Sequence, residues 1–430
     1  MNIIFKFLLA YIVFFACANN GLAQNHNRLF VEIDAEMHSL NIRQELEYYN
    51  ASADSISEIV LNDWNNAYAN VKTPLANHFS DQFYRGFHLA KEEERGKTSN
   101  ITITEKEQPL SWKRPENDPD IVVVKLLNKL APNEKINLRL SYTVKIPSSK
   151  FTKFGYDDLG NMNLKSWFLT PARYENHAFV KYNNENLDDI ANAITDFDVE
   201  LKLAKGFTII TDLNTTDEIS NNDYSIYQLH GKNRVDFELF IEPKSSFTNF
   251  KSERFEVITN LDGDKVTPED QAKAIDCVVR FVKNNIGDYP FEKIVVSQTD
   301  YERNPFYGLN QLPSIIRPFT DEFTYELKFL KTYLNVFLNK SLFINNRKES
   351  WIHNGIQVFI MMKYIEENYP DTKMLGKASS FRLLKSYNLT NLDFNEQYSY
   401  FYMLMARKNL DQALGTPKKQ SDKIQRTNCQ

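Results

Sequence analysis

The hydrophobic period of this chain changes once, and that change limits the folds open to it. From Leu29 to about Pro243 apolar residues recur at every second position, whereas after Asp262 they recur every three or four. In Ile136-Asn-Leu-Arg-Leu-Ser-Tyr-Thr-Val-Lys-Ile146 the alternation is strict, which sets one face of a strand against a core and the other in water. Leu40 to Tyr48, Phe197 to Leu203 and Val235 to Ile241 repeat it, with polar turns such as Ala131-Pro-Asn-Glu134 between strands. These runs predict an antiparallel saddle or sandwich of roughly 200 residues.

The second regime is helical. Thr267-Pro268-Glu269-Asp270 combines a hydroxyl cap, a proline suited to the first turn and two acids that favour a helix N-terminus. Ile275, Val278, Val279 and Val282 follow at helical spacing, and Gly287 ends the segment. Further helices are predicted over Thr324 to Leu338, Trp351 to Asn368 (stopped by Pro370) and Phe394 to Leu410. The fold class expected is α+β. A β domain over 24–250 precedes an α-rich domain over 262–415, and 416–430 is a polar tail expected to fray.

The leader MNIIFKFLLAYIVFFACANNGLAQ has one early lysine, an apolar run from Phe7 to Ala16 and small residues at Gly21 and Ala23. It reads as a signal peptide over 1–23, so the mature chain is expected to be exported and to be periplasmic, secreted or at the outer surface. Lipidation at Cys17 is an alternative. No later segment approaches the ~18 uninterrupted apolar residues of a membrane span. The formal charge of −5, from 51 basic and 56 acidic residues, provides no field for a nucleic-acid backbone, and nucleic acid is excluded as a partner. With 13 glycines and no Walker-type or dinucleotide fingerprint, a nucleotide-binding fold is excluded too. Beyond Cys17 only Cys277 and Cys429 remain, which is no disulfide framework.

Three segments in series carry a resemblance. Phe281-Val-Lys-Asn-Asn-Ile-Gly287-Asp-Tyr289-Pro290-Phe291 is similar to the helix end and Gly-x-Tyr-Pro turn ahead of the active site in the aminopeptidase N family of zinc metallopeptidases. Gly308-Leu-Asn-Gln-Leu-Pro313-Ser-Ile-Ile316 resembles that family's Gly-x-Met-Glu-Asn-Pro-Gly-Leu-Ile segment, and Trp351-Ile-His-Asn-Gly355 resembles its Trp-Leu-Asn-Glu-Gly motif. The resemblance spans residues 30–410. It implies a β saddle followed by a thermolysin-like, mainly α domain, here incomplete because the chain ends soon after the helix that carries Tyr398.

Set against that family, the metal-binding residues are missing. The family takes two zinc ligands and a general base from His-Glu-x-x-His on one helix and a third ligand from the Glu of the later motif. Counting back 23 positions from Asn354, which stands where that Glu would be, reaches Lys331-Thr332-Tyr333-Leu334-Asn335. The two imidazoles and the base are therefore replaced by Lys331, Asn335 and Thr332. Independently of alignment, the seven histidines (26, 38, 78, 88, 177, 230 and 353) include no pair four apart. Neutral amides and an ammonium are poor ligands for a dication, so no cofactor is expected although zinc is the family's metal.

Gln311 stands where the family's Glu holds the substrate's α-amine, and an amide loses that ion pair. With Gly308 and Leu309 it forms the expected substrate groove. Tyr398 is the candidate for the family's transition-state tyrosine, with packing among Phe401 and Tyr402 as the alternative. Glu349 and His353 are four apart at a helix start; the acid is expected to favour that start, with His353 at the rim. Cys277 is expected in the core, and Lys91-Glu-Glu-Glu-Arg95 in a solvated loop. We expect Lys331, Thr332 and Asn335 on one helix face directed at Asn354, the Lys331 ammonium standing in for the metal's charge. The expected function is that of an exported, catalytically inactive metallopeptidase homologue, either peptide-binding or vestigial, with peptides or proteins as the candidate partners. An active exported zinc metallopeptidase with an unrecognised ligand set, and a β-sandwich adhesion or scaffold module, are the alternatives.

Overall fold

The computed structural model describes residues 25–252, 255–263, 265–306, 318–380, 390–418 and 420. The chain has the α+β fold, divided into two compact units: residues up to Asn184 with Ile190–Pro243, and Glu185–Asp189 with Lys244 onward. The leader lies outside the described residues. No helix among the described residues is long and apolar enough to cross a membrane.

The first unit is built from the alternating segments. Its eight-stranded sheet runs in the order Asn214–Ser220, Tyr224–Arg234, Thr195–Ala204, Asn25–Asp34, Ser39–Tyr49, Lys135–Lys145, Lys97–Glu105, Gln108–Pro109. All pairs are antiparallel except Asn25–Asp34 with Thr195–Ala204, which is parallel. Two four-stranded sheets, one centred on Leu239–Glu242 and Met162–Leu164 and the other on Ile56–Asn62 and Ile121–Leu130, and a two-stranded hairpin of Tyr174–Glu175 and Ala178–Phe179 accompany the eight-stranded sheet. Inward residues of all three sheets, including Leu29, Leu40, Leu61, Val122, Leu201 and Leu239, share one core. Gln44 is the polar exception on the inner face of Ser39–Tyr49. It is satisfied there, donating to the Leu169 carbonyl at 2.9 Å and accepting from the Tyr142 hydroxyl at 2.6 Å.

One predicted strand needs correction. Val235 to Ile241 alternates cleanly, yet the eight-stranded sheet ends at Arg234 and the next strand begins only at Leu239. Phe237, Leu239 and Ile241 are all buried, but the chain is passing between two sheets that share a core. The whole stretch from Asp236 to Glu242 is buried on both sides of the chain, so the sequence alternates here where burial does not.

The second unit contains a three-stranded sheet of Thr248–Lys251, Glu256–Thr259 and Lys293–Val296. The last two are parallel, and the helix Pro268–Asn285 is their crossover. Thr267 caps this helix through its side-chain oxygen, which accepts from Asp270 N at 3.2 Å, and Ile275, Val278, Val279 and Val282 are buried. Gly287 follows the helix end with φ of 135°, a conformation that favours glycine. The helices Asp321–Ser341 and Ser350–Asn368 contribute most of the remaining core, and Glu396–Arg407 follows them.

Residues 185–189 join this unit through two arginines. Arg347 grips Asp189 with Nε–Oδ2 at 2.9 Å and Nη2–Oδ1 at 2.6 Å, both side chains being buried. Arg303 bonds Asp188 at 2.6 Å and Asn186 at 2.8 Å. The tail expected to fray is tied at its start, since Lys418 donates its N–H to the Arg347 carbonyl at 3.0 Å and its ammonium to the Leu187 carbonyl; residues 421–430 lie outside the described residues.

A buried charge that loses its partner costs more than the pair contributes. Arg347→Ala is therefore expected to destabilise the protein by about 3–5 kcal/mol in urea unfolding. Replacing Arg347 by Met and Asp189 by Leu together is expected to cost far less.

Candidate functional site

The site is built on two helices of the second unit. Asp321–Ser341 starts at Thr320, whose side-chain oxygen accepts from Phe323 N at 3.3 Å, with Asp321 and Glu322 in the first turn. It is buried nearly all round, and its buried residues include Lys328, Lys331 and Thr332. Ser350–Asn368 buries His353, Gln357, Ile360, Met361, Tyr364 and Ile365. The buried Gln357 side chain donates to the backbone carbonyl of Lys331 at 3.0 Å, and the His353 ring lies by the backbone of Asn335. The helices therefore run antiparallel, with the Lys331 turn set against Gln357 and the Asn335 turn against His353. Asn354 adjoins this contact and is half-buried, as is Asn335.

The four residues that the resemblance sets against the family's ligands and base, Lys331, Thr332, Asn335 and Asn354, do not converge as expected. The Thr332 hydroxyl turns back along its own helix and donates to the Lys328 carbonyl at 2.8 Å. A hydroxyl buried in a helix satisfies itself this way when no outside acceptor is offered. The Lys331 ammonium neither reaches solvent nor bonds Asn354 or Glu349. It donates to the Pro305 carbonyl at 3.2 Å and stands 5.7 Å from the centre of the Phe306 ring. The Asn354 side-chain oxygen lies 3.3 Å from Nδ1 of His353, its own neighbour.

Lys331 is 6% exposed and has no carboxylate partner among the described residues. Lys328, one turn earlier, differs: its ammonium donates to the Asp262 carbonyl at 2.8 Å and lies 3.7 Å from the Asp262 carboxylate. Burial alone brings the Lys331 amine down from 10.5 to about 8, so at neutral pH it remains mostly a cation. Burial likewise holds the His353 imidazole below its usual value, opposed by the Asn354 side chain.

His353 is thus buried and not at a rim, because its helix turns that face onto Asp321–Ser341. Glu349 precedes the helix and its carboxylate accepts from Asn345 N at 3.0 Å, so it orders the approach to the helix and is not paired with His353. Tyr398 lies in the first turn of Glu396–Arg407, half-buried, and burial raises its phenol above the ordinary range. Phe401 and Tyr402 are exposed, and Met405 is the buried residue of that helix. Cys277 is half-buried, with the Tyr364 hydroxyl 3.3 Å from its sulfur. Gly308, Leu309 and Gln311 lie outside the described residues.

Two features escaped the sequence reading. Gln357 was legible as an amide in an otherwise apolar run, Ile356-Gln-Val-Phe-Ile360. The carboxylate of Glu326, which accepts from the hydroxyls of Tyr364 and Tyr369 (2.9 Å for the latter), carries no local sequence signal.

The donors at these positions do not fit the family's zinc. An ammonium fixed on a carbonyl has no lone pair to offer and repels a dication, and amide oxygens are weak ligands for it. Among the described residues, no group of three or more His, Cys, Asp or Glu is placed to hold a metal ion.

Neither a protein-family profile nor a curated protein matches the sequence. Solved structures do match. An M1 zinc metallopeptidase variant from Deinococcus radiodurans bound to a Tyr-Ser-Ala substrate aligns with a TM-score of 0.54 at 14% identity, over 95% of this chain and 80% of that one. A variant of the Deinococcus radiodurans M1 zinc metallopeptidase described without a substrate gives 0.53 at 14% identity, over 95% and 81%. A two-domain M1 zinc metallopeptidase variant bound to L-tryptophan gives 0.52 at 14% identity, over 95% and 81%. At such identities the likeness is one of fold, and this chain has the fold of an M1 metallopeptidase.

An amine depressed by burial penalises the folded state wherever it is charged. The unfolded chain binds the extra proton between about pH 8 and 10.5, so the contribution of Lys331 to stability rises with pH across that window, and its penalty is complete below pH 8. Lys331→Met is expected to raise stability by about 3 kcal/mol at neutral pH and to remove this rise. Urea unfolding of both proteins at pH 7 and above pH 9 measures the difference.

Proposed function

We propose that this protein is an exported, catalytically inactive relative of the aminopeptidase N family that binds peptides without hydrolysing them. The observation that carries this reading is the buried Lys331 ammonium at the position of the family's first zinc ligand. Beside it the hydroxyl at the general-base position is committed to its own helix, and amides stand at the other two ligand positions. Hydrolysis in the family needs a metal-activated water and a carboxylate to take its proton. Lys331, Thr332, Asn335 and Asn354 provide neither, so no step is assigned to them. Retention of a peptidase fold without the chemistry supports a binding role, with Gly308, Leu309 and Gln311 as the groove residues proposed from sequence. Export rests on the leader.

The test uses the purified mature chain and a variant in which Lys331→His, Thr332→Glu, Asn335→His and Asn354→Glu are combined. The natural protein is expected to show no chelator-sensitive cleavage of aminoacyl anilides. The variant is expected to take up one zinc ion per chain, because the two helices that would carry the ligands are already in register through Gln357. Chelator-sensitive cleavage by the natural protein overturns the proposal.

A further inference from the structure

The face of the eight-stranded sheet turned away from its core carries a grid of charged residues, most of them paired. Arg28 lies 3.6 Å from Glu45, Arg139 lies 3.5 Å from Glu45 and also meets Glu107, and Lys202 bonds Glu32 at 2.7 Å. His26 and His230 share the carboxylate of Asp198 at 2.8 and 2.6 Å. One row through the middle differs. Glu200, Phe30 and Arg43 are direct partners on three neighbouring strands. Arg43 has no ion-pair or hydrogen-bond partner among the described residues, and its guanidinium lies 5.7 Å from the centre of the Phe30 ring. Glu200 accepts from the Gln228 amide at 2.8 Å and has no cationic partner among the described residues. An unpaired acid and an unpaired base thus flank one half-buried aromatic ring.

Each side of that ring is concave. A hollow of about 480 Å³ is lined by Phe30, Arg43, Thr104 and Ser141, and another of about 430 Å³ by Phe30, Glu200 and Thr216. With strands ~4.8 Å apart, Glu200 and Arg43 stand ~10 Å from each other across two strand spacings. Three extended residues span ~10 Å as well.

We propose that this face binds a short peptide with free termini, about three residues long, its carboxylate on Arg43, its ammonium on Glu200 and its body across Phe30. The Arg43 guanidinium, within cation–π range of the Phe30 ring, has its donors free to take a carboxylate, and the neighbouring Ser141 hydroxyl offers a further donor. Glu45 and Arg139 also line the first hollow and Arg28, Asp198 and His230 the second, but these are in ion pairs on the sheet. The opposite ionic ends of such a ligand match the two groups without an ion pair among the described residues, Arg43 and Glu200, which a simple anion or cation does not. This site belongs to the first unit and is independent of the reading of Lys331.

The test is calorimetric titration of the full mature chain with trialanine, N-acetyl-trialanine and trialanine amide. Trialanine is expected to bind saturably at one per chain, and blocking either terminus to weaken binding at least tenfold. Arg43→Gln is expected to abolish the difference between trialanine and its amide, and Glu200→Gln the difference made by acetylation; circular dichroism checks that both variants are folded. No saturable binding of trialanine, equal binding of the three peptides, or undiminished discrimination in the variants would overturn the proposal. The variants assign the binding to this face and not to the groove proposed above; Phe30→Ala, expected to weaken trialanine at least tenfold, provides the same test if either charge variant fails to fold, and unchanged binding by it would overturn the proposal.

Discussion

A protonated amine buried inside a helical unit with no carboxylate partner among the described residues is the constraint on which the second unit turns. Burial makes the charged state of Lys331 costly, and only a carbonyl and a ring face offset that cost. Its presence sets the local electrostatic sign: a position that would have to attract a dication is occupied by a cation. The turn of the Thr332 hydroxyl onto the Lys328 carbonyl of its own helix and the contact of His353 Nδ1 with the Asn354 side chain are compatible with that. The register between the helices is kept by Gln357, which bonds a backbone atom and so is indifferent to the side chain at 331.

Much of the fold could be read from periodicity because burial here follows it closely. The helices bounded by Thr267, Thr320 and Pro370 begin and end within a few residues of where caps and breakers place them. Gln44 and the corner at Val235 mark where periodicity stops being informative. In one case a polar side chain stands on a core face because two partners satisfy it; in the other the sequence alternates through a stretch that is buried on both sides, Asp236 to Glu242, and the strand begins only at Leu239. Residues 185–189 could not be assigned from sequence, because what draws them to the second unit is Arg303 and Arg347, more than a hundred residues away.

The candidate site was legible in its residue types and not in its geometry. Spacing alone brought Lys331, Asn335 and Asn354 to two facing helices, and the contacts of Gln357 and His353 agree with that pairing. The direction of each side chain depended on acceptors supplied by distant segments, and the Pro305 carbonyl that takes the Lys331 ammonium could not be foreseen from spacing. The outer face of the sheet illustrates the same limit. Charges in each strand are plain in the sequence, but which of them remain unpaired follows only from the cross-strand register.

The most direct measurement is the metal content of the natural chain after equilibration with zinc and removal of free metal, read by the anomalous signal at the zinc edge in its crystals. The account predicts no peak between the helices Asp321–Ser341 and Ser350–Asn368. A full-occupancy peak there, within bonding distance of protein nitrogen or oxygen atoms, would contradict it.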